Sequence, residues 1–114
     1  MHEFALVEQL LKLLRESAVE NNIEEIQQAT VVVGLGSTFV PGVIKFLFES
    51  LATEPPFSTD TELVVIKEPV RVYCPACSRE FEHDDWRWVC PHCGSTDLRQ
   101  TAGGTVYIES YEGE

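Results

Sequence analysis

Four cysteines stand as Cys74-Pro-Ala-Cys77 and Cys90-Pro-His-Cys93, two matched Cys-x-x-Cys pairs separated by residues 78 to 89. Each pair presents two thiolates from a tight turn, and four thiolates suit Zn(II), which has no geometric preference that opposes a tetrahedron. Such a site has no open coordination position, so it is expected to be structural and not a place to activate water. A dithiol redox pair, a disulfide cross-link and a rubredoxin-type iron site use the same residues and stand as alternatives. Two matched pairs within about twenty residues favour zinc over a lone redox motif. A structural zinc contributes on the order of 10 kcal/mol or more, so residues 71–101 are expected to lose their fold without it. Trp86 and Trp88, two apart on an extended segment, are expected to pack over the metal knuckles.

The second constellation is Met1-His2-Glu3. The α-amino group of Met1, the backbone nitrogen of His2 and the His2 imidazole can converge on one ion, in the near-planar nitrogen arrangement that Ni(II) and Cu(II) accept. Glu3 can add a carboxylate or a further backbone nitrogen. Moving the imidazole by one residue would change the chelate ring, so position two is essential. The competing reading is a frayed, solvated terminus whose second residue is histidine by chance.

These groups need elements to hold them. Phe4, Val7, Leu10, Leu11, Leu14 and Ala18 recur at helical spacing, with Glu8, Gln9, Lys12, Arg15 and Glu16 on the other face, which predicts an amphipathic helix over residues 3–21. Asn21-Asn22 resists its continuation, and Thr30-Val31-Val32-Val33, ending at Gly34, reads as a buried strand. Gly34, Gly36 and Ser37 make a loop. Pro41 sits well in the first turn of a second helix with a broad apolar face of Val43, Ile44, Phe46, Leu47, Phe48 and Leu51, stopping before Pro55-Pro56. Leu63 to Ile66 reads as a strand, extended character resumes through Val70, Val72 and Tyr73 into Cys74, and Thr105 to Ile108 with Tyr111 suggests a closing strand.

The economical solution is an α+β fold, with two helices packed on one face of a small, mixed or mainly antiparallel three-stranded sheet. A zinc-ribbon-like module of four cysteines interrupts the chain before the last strand. Residues 1–70 with 102–114 are expected to form the α/β body that carries the terminus, and 71–101 the zinc-binding domain.

At 114 residues the chain can bury one modest core and is short for two. Eight Lys and Arg against 19 Asp and Glu leave a net charge of −11, which repels phosphate backbones and anionic lipid, so nucleic acid is a poor partner. No stretch approaches the roughly 20 apolar residues of a membrane span, and no basic flank with an apolar run marks a secretory signal. A cytoplasmic location is expected, where paired cysteines more often hold metal than form disulfides.

Met1-His2-Glu3-Phe4-Ala5-Leu6, the strand and Gly-x-Gly loop from Val31 to Ser37, the helix with Phe48-Glu49-Ser50-Leu51, the two Cys-x-x-Cys pairs and the ending Gly104 to Glu109 together resemble the HypA family of hydrogenase nickel-incorporation proteins, over the full length of the chain. The resemblance implies a nickel metallochaperone that matures [NiFe]-hydrogenase, and in some members urease, with a HypB-type GTPase as partner and the hydrogenase large subunit as recipient. It implies transient Ni(II) cargo on Met1, His2 and Glu3, and structural zinc on Cys74, Cys77, Cys90 and Cys93. Where some members place an acidic residue in the loop opening the second helix, this sequence reads Phe39-Val40-Pro41-Gly42, which offers no carboxylate. In some members a histidine of the zinc module joins the nickel site, which points to His83 or His92 here. The oligomeric state is left open, a homodimer included.

Other classes fit less well. A zinc-ribbon module that only scaffolds a complex would leave His2 incidental. Val31-Val32-Val33-Gly34-Leu35-Gly36 imitates a dinucleotide fingerprint, but the third glycine position is Phe39 and no βαβ unit with an acidic ribose ligand is read. No Gly-x-x-x-x-Gly-Lys phosphate loop and no credible nucleophile with its base is present, so an enzyme is not expected.

Overall fold

The computed structural model describes residues 2–83 and 88–114. Its elements are α1 (His2–Glu20), β1 (Ile26–Gly34), α2 (Pro41–Leu51), β2 (Glu62–Glu68), β3 (Val70–Cys74), β4 (Arg79–His83), β5 (Arg99–Ala102) and β6 (Val106–Gly113). They make two three-stranded sheets, ordered β2-β1-β6 and β4-β3-β5. The molecule is long, about 53 × 27 × 18 Å.

The α1 stripe buries Val7, Leu10, Leu11, Leu14 and Ala18 as its periodicity requires, whereas Phe4 stays partly in solvent. Asn22 ends the helix in the left-handed region at φ 57°. The Ile23 N–H then donates to the Ala18 carbonyl at 2.8 Å and the Asn22 N–H to that of Val19 at 3.3 Å, the Schellman pattern that satisfies the last orphan carbonyls. In α2 only Ile44 and Phe48 are fully buried. Phe46, expected on the apolar face, is 68% exposed, because a short helix on a narrow sheet has room to bury only one stripe.

β1 is central, pairing parallel with β2 and antiparallel with β6. Ile26, Ala29, Val31 and Val33 point into one core with Leu63, Ile44, Phe48, Phe57 and the α1 stripe. The parallel β1–β2 pair bridged by α2 is a short βαβ unit, within the mixed sheet that the sequence allows. Its Gly-x-Gly loop does not cradle a phosphate. A Cβ on Gly34 would land on the Gly103 carbonyl and 2.8 Å from that of Thr105, while the Gly36 N–H donates to the Gly103 carbonyl at 2.8 Å. The glycines are there so that two backbones can touch.

That contact builds the neck through which the chain leaves and re-enters the first sheet. The Leu35 N–H donates to the Glu68 carbonyl and the Gly34 N–H to that of Thr105, both at 2.8 Å. The Glu68 carboxylate accepts from the Gly103 N–H at 3.0 Å and from the Tyr107 hydroxyl at 3.1 Å. Gly103 turns at φ 82°, and a Cβ there would also lie 2.5 Å from the Pro69 carbonyl oxygen.

Candidate metal centres

β3, β4 and β5 form the platform for the cysteines. Two of these strands, β4 and β5, went unread in the sequence. Arg79-Glu80-Phe81-Glu82-His83 and Arg99-Gln100-Thr101-Ala102 offer almost no apolar alternation, and they pair on either side of β3, whose Val72 is fully buried. An Arg71–Glu80 ion pair at 2.8 Å crosses the β3–β4 ladder on the surface.

Each cysteine pair is a turn closed by a residue in the left-handed region just after the second cysteine: Ser78 at φ 57° and Gly94 at φ 77°. The Gly94 N–H donates to the Cys90 carbonyl at 2.9 Å, and the His92 N–H points at the Cys90 sulfur at 3.4 Å. All four sulfurs lie within 4.8 Å of one another. Cys74 Sγ is 3.6 Å from Cys93 Sγ and Cys77 Sγ is 3.8 Å from Cys90 Sγ. A tetrahedron with metal–sulfur bonds of about 2.3 Å has edges of about 3.8 Å, so the spacing is that of a four-thiolate metal site. It is far beyond a disulfide bond of about 2.05 Å, and all four cysteines are free.

The metal-free thiols do not ionise alike. Burial raises Cys77, and its contacts with the Cys74, Cys90 and Cys93 thiols push it further, up to about 12. Burial also acts to raise Cys90, but the backbone N–H groups of Cys93 and His92 aimed at its sulfur, with the Cys93 and Cys77 thiols, bring it down to about 6. The Cys90 thiolate therefore forms early, while Cys77 keeps its proton until a cation arrives.

Of the terminal constellation, His2 and Glu3 lie in the first turn of α1. Met1, like Trp86 in the module, falls outside the described residues. His2 begins α1, and its ring meets Phe39 edge-on, centroids 5.4 Å apart at 84°. The Val40 N–H points at Glu3 Oε2 at 3.4 Å. Loop 39–40 thus faces the terminus with an aromatic ring and an amide, where a carboxylate is absent from the sequence. Backbone N–H groups in the first turn of a helix have no intrahelical acceptor, so the His2 and Glu3 nitrogens are not committed to the α1 ladder. Sequence reasoning missed Phe39; an aromatic residue two before a helix-opening proline was its only signal.

The module histidines have partners. His83 packs against Trp88 with centroids 5.2 Å apart, and Trp88 as a residue is 40% exposed. The Arg79 guanidinium lies 3.2 Å from His92 Nδ1. Because a guanidinium only donates, that nitrogen accepts, and a neutral ring carries its proton on Nε2. Among the described residues no helix is long and apolar enough to cross a membrane.

Fold and cysteine geometry define a small metal-binding protein with a closed thiolate centre. The family model described as hydrogenase/urease nickel incorporation, metallochaperone, HypA matches residues 1–113. The hydrogenase maturation factor HypA of Moorella thermoacetica is 38% identical over 114 residues, covering all of both chains. That of Aquifex aeolicus is 30% identical over 112 residues, covering 98% of this chain and 96% of its own. Among solved structures, the solution structure of a HypA protein superposes with a TM-score of 0.75 at 28% identity, covering 100% of this chain and 97% of that one. The solution structure of the nickel metallochaperone HypA from Helicobacter pylori gives 0.71 at 27%, covering 97% and 96%. The chain belongs to the HypA family of nickel-incorporation metallochaperones, maturation factors and not enzymes.

Proposed function

We propose that this chain binds Ni(II) at Met1, His2 and Glu3 and delivers it for maturation of [NiFe]-hydrogenase, with urease as the other candidate recipient. The observation that carries the reading is the position of His2. Its imidazole and its uncommitted backbone nitrogen stand at the very start of α1, against Phe39. An exposed chelate of amine, amide and imidazole gives up its ion as readily as it takes it, which transfer requires. The cysteines serve the opposite purpose: Cys74, Cys77, Cys90 and Cys93 hold zinc in a closed site, supplying the folding energy of residues 71–101. Residues 1–70 with 102–114 act as the nickel-binding body and 71–101 as the zinc-binding domain. A HypB-type GTPase and the hydrogenase large subunit are the partners, met in the cytoplasm.

The carboxylates support a cationic cargo. Residues 1–70 and 102–114 hold 14 of the 19 acids and 4 of the 8 bases, so the body carries −10 of the net −11. That net charge attracts divalent cations to the body as a whole.

The test is complementation of cells that lack their own maturation factor, grown at limiting nickel. The chain is expected to restore hydrogenase activity and His2→Ala to fail, with excess nickel salt rescuing the variant. Full restoration by His2→Ala at limiting nickel would contradict the reading.

A further inference from the structure

The helices cover only one face of the β2-β1-β6 sheet. On the other, strand register sets Val64 beside Thr30 and Ile66 beside Val32, which in turn neighbours Tyr107. Ile66 is 41% and Tyr107 42% exposed, while Val32 between them is 2% exposed. None of these residues belongs to the core beneath the helices. A parallel strand pair is normally covered on both faces, yet here β1–β2 leaves Ile66 exposed and Val64 half-buried on the face away from the helices.

Acids frame this stripe. Glu62 and Glu112 flank Gln28 at one end, Glu68 closes the other, and Glu109 lies in the bulge where Thr30 pairs with Ser110 and Val31 with Ile108. Glu109 is near enough to help hold the Tyr107 hydroxyl above its ordinary range, after burial and the Glu68 hydrogen bond. No lysine or arginine shares these register positions. A second copy would set the same acids against one another, and phosphate or anionic lipid would be repelled.

We propose that this face, with Ile66, Tyr107 and the half-buried Val64 over the buried Val32 and within Glu62, Glu109 and Glu112, docks a partner protein through an apolar helix face edged with lysine and arginine. The stripe supplies the contact area and the acidic frame selects the sign of the partner's charge. The inference rests on the delivery reading only in that a carrier must meet other proteins; nickel binding by the same variants separates the failure of one from the failure of the other.

The test uses the full, zinc-loaded, isotope-labelled chain and a leucine–lysine amphipathic peptide of about 18 residues, long enough to hold a helix. Amide shifts are expected to centre on Val32, Val64, Ile66 and Tyr107. Val64→Thr with Ile66→Thr, which keeps β-branched residues in the strand, is expected to weaken binding about tenfold with nickel affinity unchanged. Glu62→Lys with Glu112→Lys is expected to weaken it more than Glu16→Lys with Glu20→Lys, a control of equal charge change on α1. Shifts centred on the helices or the cysteine module, wild-type affinity in the threonine variant, equal weakening by the two charge variants, or equal binding of a leucine–glutamate peptide would each overturn the proposal.

Discussion

The His2 imidazole stands edge-on to the Phe39 ring, centroids 5.4 Å apart, which ties the first helical residue of the chain to the loop that opens α2. An edge-to-face aromatic pair is worth about 0.5–1.5 kcal/mol beyond its buried area. If Phe39 holds the imidazole in place for chelation, Phe39→Ala lowers nickel affinity about 2- to 10-fold while Phe39→Tyr leaves it unchanged. Competition against a chromogenic nickel chelator reads this directly, and unaltered or tighter binding by Phe39→Ala would contradict it.

Two glycines should respond oppositely to the same added methyl. Gly34→Ala places a Cβ against the backbone carbonyls of Gly103 and Thr105, neither of which can move without the neck, and is expected to cost about 1–3 kcal/mol. Gly42→Ala, in α2 with nothing within 4 Å, is expected to stabilise by about 0.5 kcal/mol. Urea unfolding of the pair measures the contrast, and similar midpoints for the two variants would refute the account of the neck.

Chelation should separate the two sheets. Both tryptophans, Trp86 and Trp88, lie between the cysteine pairs, so their emission reports that region alone. Removing the metal is expected to shift the emission to the red as β4-β3-β5 loses order, with helical circular dichroism retained because α1 and α2 pack on the other sheet. Parallel loss of both signals would show that the body depends on the module and would overturn the division at residues 70 and 102.

Zinc binding near neutral pH should release protons. The Cys90 thiol, at about 6, is ionised there, whereas Cys77, pushed up to about 12, keeps its proton until the metal displaces it. Raising pH through that range removes the competing proton, so affinity rises with pH and falls on acidification. Calorimetry in buffers of different ionisation enthalpy checks this; heats independent of the buffer would be inconsistent with it.

How far the sequence could be read depended on where its apolar residues fell. Helix α1, strand β1 and the Cys-x-x-Cys turns were legible because periodicity or spacing is enough to specify them. Phe4 and Phe46 were placed on buried faces because a stripe drawn from residue types does not know how narrow the sheet beneath it is. β4 and β5 were illegible because charged strands such as Arg79 to His83 are ordered by their pairing with β3 and by the metal site, neither of which leaves an alternating pattern. The Glu68 bridge to Gly103 and Tyr107 joins residues 35 and 39 positions apart, contacts that only the tertiary fold brings together.

The central claim is that the amino terminus itself is the nickel site. Calorimetric nickel titration of untagged, zinc-loaded protein, beside His2→Ala and a variant with one residue added before Met1, tests it most directly. A one-to-one site in the parent that both changes abolish, with zinc content intact, is the result this account predicts. Equal nickel binding by all three proteins, or by none, would contradict it.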